Sequence, residues 1–173
     1  IPLSVETIGA KAFYDCNKLK SVVFNDGDKT IGIQAFGDCD NLESVSFGDG
    51  VTSFSTSNSS GNGSFMNCQN LRTLIIGDGI LVSSSWYHQF SECYNISEIH
   101  IPNIEVWLNS SFYDGTAPNN VSSKSSLYVD GELLTEIVIP SSVTSIRPYA
   151  FYQMNGITSV TIPEGVTTIG KHT

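Results

Sequence analysis

Ile8-Gly9, Ala12-Phe13, Cys16, Leu19, Val22 and Phe24 return 23 positions later as Ile31-Gly32, Ala35-Phe36, Cys39, Leu42, Val45 and Phe47. Self-similarity at a period of about 20 to 50 residues marks a stack of structural repeats, each too small to bury its own apolar side. A third copy runs Val51, Phe54, Ser64-Phe65, Cys68, Leu71, Leu74 and Ile76, and a fourth Ile80, Gln89-Phe90, Cys93, Ile96, Ile99 and Ile101. A later copy runs Val143, Ile146, Ala150-Phe151, Met154, Ile157, Val160 and Ile162, and a last begins at Val166 and Ile169-Gly170. The chain is therefore expected to be a β-rich repeat solenoid occupying residues 1–173 as a single domain.

Each copy can be read piece by piece. Val22-Val23-Phe24 alternates inward and outward, as a short strand does. Val143-Thr144-Ser145-Ile146 reads as a second short extended piece. Ala-Phe-x-x-Cys sets apolar side chains three apart, which predicts one helical or 3₁₀ turn. Gly48-Asp49-Gly50, Gly77-Asp78-Gly79 and the Ile-Pro pairs at 101–102, 139–140 and 162–163 end the strands and turn the chain. Stacking predicts one parallel sheet from the Val-x-Ile segments, with six or seven rungs spanning about 30 Å at a strand spacing of about 4.8 Å. Phe13, Phe36, Phe65, Phe90 and Phe151 are expected to form one buried ladder, with Leu19, Leu42, Leu71, Ile96 and Ile157 beside it. No segment keeps a helical period beyond two turns, so long helices are not expected.

Two stretches break the period. Ser55 to Gly63 is a polar tract that reads as a surface loop. Residues 103–142 hold a degenerate rung around Trp107 and Phe112, then a loop over 113–126. Leu127-Tyr128-Val129 and Glu132-Leu133-Leu134 follow, joined by Asp130-Gly131, a strong hairpin signal.

These repeated residues resemble the BspA-like leucine-rich repeat family, whose pattern is roughly V-T-x-I-G-x-x-A-F-x-x-C-x-x-L-x-x-V-x-I-P. Val143 to Pro163 follows it closely, with Arg147 for Gly, Met154 for Cys and Ile157 for Leu. The resemblance implies a right-handed leucine-rich-repeat-like stack, an extracellular or cell-surface location, and an adhesive or protein-binding role. It carries over no catalytic residues.

Composition narrows the partners. The 17 acidic and 8 basic residues leave a net charge of −9. That opposes binding to nucleic acid and adsorption to anionic membranes, both of which need a basic face. No run of 18 apolar residues occurs, so no transmembrane helix is expected. The chain begins at Ile1 and halts inside a repeat, which reads as a fragment of a longer surface protein. A monomer is expected.

Several residue groups invite a sharper reading. Cys16, Cys39, Cys68 and Cys93 each follow a repeat phenylalanine by three positions. Equivalent slots point the same way, and Met154 fills one of them, so these are expected to be reduced thiols in apolar slots rather than disulfides. Asp26-Gly27-Asp28, Asp49 and Asp78 recur at turns. Stacked carboxylates suit calcium, but Asp and Gly also suit turns and no complete calcium loop is present. No Gly-x-Ser-x-Gly elbow and no metal-ligand spacing of His and Cys occurs, so no enzyme, cofactor or metal is expected. Trp86, Tyr87 and Trp107 would serve a carbohydrate-binding module if exposed, or a core if buried. Sequons lie at Asn58, Asn62, Asn95, Asn109 and Asn120.

The outward strand positions are the candidate binding face: Val23, Ser46, Thr73, Ile75, Glu98, His100, Glu136, Val138 and Thr161. They are mostly small and uncharged, with some aliphatics. Such a face suits a protein ligand or an extended peptide. Thr, Val and Ile also simply favour strands, and that reading stands beside the first. The expected function is a binding module; a structural spacer presenting another domain is the alternative.

Overall fold

A computed structural model describes residues 1–27, 29–55, 62–78, 88–109 and 125–173. Among the described residues short strands follow one another with almost no helix. One sheet holds β2 (Ser21–Val23), β4 (Ser44–Ser46), β6 (Thr73–Ile75), β7 (Glu98–Ile101), β8 (Ser126–Val129) and β9 (Glu132–Leu133), in that order. Its first five strands are parallel and β9 is antiparallel. Alternation decides which side chains go in. Val22, Val45, Leu74, Ile99 and Leu127 lie side by side in register and are all buried.

The second extended piece of each copy forms β1 (Thr7–Ile8), β3 (Lys29–Ile31) and β5 (Val51–Phe54), a parallel three-stranded sheet. The final copies form two separate parallel pairs. One is β10 (Glu136–Val138) with β12 (Ser159–Thr161), and the other is β11 (Ser145–Ile146) with β13 (Thr168–Ile169). The Val-x-Ile strands therefore do not make a single sheet. The Asp130-Gly131 turn, with φ of 51° and 79°, folds β9 back onto β8. The edge where the next parallel strand would add is occupied, and β10 starts a new ladder.

The phenylalanine ladder runs through the first four copies only. Phe13, Phe36, Phe65 and Phe90 stack nearly parallel, with centroid separations of 5.0, 5.1 and 5.4 Å; the expected burial holds for the last three, whereas Phe13, with a ring on one face only, is 37% exposed and Leu19 beside it is half-buried. Phe151 is half-buried, and among the described residues no ring contact joins it to the ladder. Between Phe90 and Phe151 stands α1 (Ile104–Asn109), which inserts Trp107 and Leu108 into the core. Asn103 caps it by accepting the Val106 N–H at 2.8 Å. The buried indole donates to the Ala150 carbonyl at 2.9 Å, tying the degenerate rung to the copy that follows. Phe112 and residues 113–124 of the loop expected over 113–126 lie outside the described residues, as does most of the polar tract, 56–61; at its end the expected loop is already strand, because Ser126 begins β8 in register with Glu98.

The Ala-Phe-x-x-Cys segments are neither α-helical nor 3₁₀. Each is a pair of turns with left-handed residues at fixed places: Gln34 (φ 53°) and Asp38 (φ 56°) in one copy, Lys11 and Asp15, both at 58°, in the copy before. A left-handed L-residue costs about 1–2 kcal/mol, so something must hold it there. Alternate N–H groups do so. Those of Phe13 and Asp15 donate to Ala35 and Gly37 of the next copy at 2.7 and 2.9 Å, while Ala12 and Tyr14 close their own turns. A regular helical turn would direct every N–H back along its own segment.

The cysteine thiols take part in the same scheme. Cys39, Cys68 and Cys93 are buried, Cys16 is half-buried, and all four are free. The sulfurs of Cys39, Cys68 and Cys93 donate to the carbonyls of Phe13, Phe36 and Phe65 of the preceding copy at 3.1, 3.1 and 3.0 Å. The slot is thus a hydrogen-bonding one as well as an apolar one. Burial pushes the Cys39 thiol up to about 11, and contact with Cys93 together with burial raises Cys68 too. Outside this column an amide ladder runs in parallel. Asn41, Asn70 and Asn95 donate to the carbonyls of Asn17, Asp40 and Gln69 at 2.6, 2.7 and 2.6 Å.

Close stacking explains Gly32, whose Cβ would lie 2.6 Å from the Ala10 nitrogen. At the first copies Lys29 is buried, and its ammonium donates to the carbonyls of Pro2 and Val5, each at 3.0 Å.

Candidate binding face

The outward positions of the six-stranded sheet form two straight rows. One row is Ser21, Ser44, Thr73, Glu98 and Ser126; the other is Val23, Ser46, Ile75, His100 and Tyr128. Neighbours in a row are separated by about 4.8 Å, the strand spacing, so a ligand crossing the strands meets one side chain per copy. Val23 and Ile75 are 53% and 45% exposed, which makes them open apolar contacts rather than core.

Polar contacts fix the middle of the face. Glu98 Oε2 accepts from Thr73 Oγ1 at 3.3 Å and lies 3.5 Å from His100 Nε2, an ion pair when the imidazole is protonated. The His100 ring stacks on Tyr128 with centroids 4.7 Å apart. Both rings are partly buried, so each loses little freedom on meeting a ligand. Tyr128 was not among the expected face residues. Its signal was the Asp130-Gly131 hairpin, whose first strand was read by itself and not as the next parallel member of the sheet.

Glu136, Val138 and Thr161 sit elsewhere, on the β10–β12 pair, where Val138 faces Thr161 in register. Six of the nine expected residues (Val23, Ser46, Thr73, Ile75, Glu98 and His100) share the larger sheet; these three do not.

The rim beyond the strand ends is acidic. Asp26, Asp49, Asp78 and Asp130 are all exposed there. The Asp26 carboxylate accepts the Asp49 N–H at 3.2 Å, and that of Asp49 accepts the Asp78 N–H at 3.1 Å. The recurring aspartates thus have a structural use as turn acceptors. Among the described residues no group of three His, Cys, Asp or Glu side chains is arranged to hold a metal ion. A shallow pocket of about 280 Å³ opens at this rim between Ile75, His100, Pro102 and Asp130. The opposite rim is mixed, with an exposed Lys20–Glu43 pair at 3.8 Å and Arg72. Trp107 is buried and offers no sugar platform, and Trp86 and Tyr87 lie outside the described residues.

Parallel strands, cross-copy ladders and a ligand-sized exposed sheet face define a leucine-rich-type repeat scaffold. The chain belongs to the BspA-type leucine-rich repeat family: the pattern of the BspA type Leucine rich repeat region matches residues 1–118 and 130–173 in 6 copies. A comparison with curated proteins finds no match. Among solved structures, a leucine rich cell surface protein of Faecalibacterium prausnitzii is similar at 25% identity and a TM-score of 0.41, over 81% of this chain. The chain spans only 31% of that protein's length. A leucine-rich repeat protein of T. pallidum is similar at 18% identity and a TM-score of 0.48, over 95% of this chain and 77% of the other. One from Bacteroides ovatus is similar at 18% identity and a TM-score of 0.39, over 99% and 62%. Among the described residues no helix is long and apolar enough to cross a membrane.

Proposed function

We propose that this chain is a non-enzymatic adhesion module of an extracellular or cell-surface protein, and that it binds a protein ligand across the outward face of the six-stranded sheet. The observation that carries the reading is the unbroken register of Val23, Ser46, Ile75, His100 and Tyr128, two of whose members expose aliphatic side chains for which the fold has no use. An exposed isoleucine in a row with a histidine–tyrosine stack offers contact area at low entropic cost. Repeat scaffolds present such surfaces to extended partners. Membership of the family and the name of the Faecalibacterium protein support the surface location.

The test is panning of residues 1–173 against extracellular-matrix proteins and surface proteins of other cells, with Ile75→Arg as the control. Saturable binding that Ile75→Arg abolishes, with an unchanged urea melt, is the expected result. Binding that survives Ile75→Arg removes the face from the reading. No saturable binding to any of them counts against adhesion and favours a spacer.

A further inference from the structure

Charge is distributed unevenly around this face. Along the row from Val23 to Tyr128, His100 is the sole side chain able to carry a positive charge, and Glu98 beside it is negative. Past the strand ends, four copies each set one exposed carboxylate at the same rim: Asp26, Asp49, Asp78 and Asp130. Hydrogen bonds from one turn to the next hold Asp26, Asp49 and Asp78 at the strand spacing, and Asp130 lies two strands on from Asp78, past β7. Like charges at this spacing repel, and a cationic partner relieves that repulsion. The pocket at the rim has aliphatic walls from Ile75 and Pro102 and a carboxylate at Asp130. That combination matches a side chain with an apolar stem and a charged tip, which is the description of lysine or arginine.

We propose that the partner on this face is a basic polypeptide segment lying across the strands, its lysine or arginine stems on Val23 and Ile75 and its charges at the Asp26–Asp49–Asp78–Asp130 rim. The inference rests on the sheet face being the docking surface and adds the chemistry of what docks. The net charge of −9 supplies long-range attraction, and the rim supplies register.

Two synthetic peptides test it, three repeats of Lys-Ser-Val-Ser and the same sequence with Gln for Lys, titrated into the isotopically labelled full chain. The lysine peptide is expected to shift the resonances of Val23, Ile75 and Tyr128 saturably. Its affinity should fall about tenfold between about 50 and 300 mM salt. Asp49→Asn with Asp78→Asn leaves an amide oxygen at residue 49 to accept the residue 78 N–H and should weaken binding at least about fivefold, by loss of charge pairs. Asp40→Asn with Glu92→Gln removes the same charge from exposed turns elsewhere and should do much less. Equal losses in the two double variants would reduce the effect to general attraction and overturn the proposal. Equal binding of the glutamine peptide at the face overturns the basic partner while leaving the face intact. Shifts that avoid Val23, Ile75 and Tyr128 altogether overturn both.

Discussion

The copies around Phe36 and Phe65 and the copies after residue 136 carry the same pattern but reach different burial. Phe36, Phe65, Leu42 and Leu71 are closed off from solvent. Phe151 and Ile157 occupy the same slots and are half-buried, while Val160, Ile162 and Ile169 are 44%, 45% and 54% exposed. Val143 to Pro163 is the copy that follows the family pattern closely, yet it is the less buried. A repeat motif therefore encodes the shape of a rung, and its energy comes from having rungs on both sides. Val45, Leu74 and Ile99 have partner strands on both sides and are closed off from solvent, whereas Val160 has a partner strand on one side only.

Substitutions can break or sharpen this contrast. The largest effect is expected at the ladder. Phe36→Ala should lose about 3–5 kcal/mol in urea melts, and Phe151→Ala about 1–2 kcal/mol, because a cavity is costly only where neighbours cannot collapse into it. Equal losses would show that the final copies are as tightly packed as the first. Next come the glycines. Gly32→Ala drives a methyl into the backbone of the preceding copy and should cost about 1–3 kcal/mol; Gly9→Ala, with nothing within 4 Å of its Cβ, should change the melt by less than about 0.5 kcal/mol.

A smaller effect belongs to the amide ladder. Asn70→Ala leaves the Asp40 carbonyl without its donor and should cost about 1 kcal/mol, read in the same melts. The gentlest is a pH slope. The Cys39 thiol has an ordinary value of 9.0 and is held up to about 11 in the fold. The neutral thiol is favoured when folded, so this contribution is complete below pH 9 and is lost as the pH rises from 9 towards 11. Denaturant midpoints should drift down across that window, and less so in Cys39→Ala.

The repeat period, the inward strand column and the hairpin were legible because each leaves a periodic or turn signature. The candidate face was legible in part. Alternation alone identifies Val23, Ser46, Thr73, Ile75, Glu98 and His100 as outward, but it is silent on which sheet a strand joins. That is why Glu136, Val138 and Thr161 were grouped with them and Tyr128 was not. The left-handed turns left no mark, since Gln34, Asp38 and Glu92 are ordinary L-residues held by cross-copy hydrogen bonds that only the fold reveals. The helix at Ile104–Asn109 did carry a signal, Pro102-Asn103 ahead of Ile104, Trp107 and Leu108, and its brevity hid it.

The cross-copy bonds at the corners have a mechanical consequence. Phe13, Phe36 and Phe65 donate from one copy to the next just as the strands do, so each copy is sewn to its neighbour along more than one side. A tether loaded along its axis must shear all of those seams on one copy before the next bears weight. Tension then meets a series of similar barriers instead of one, and the chain lengthens in steps.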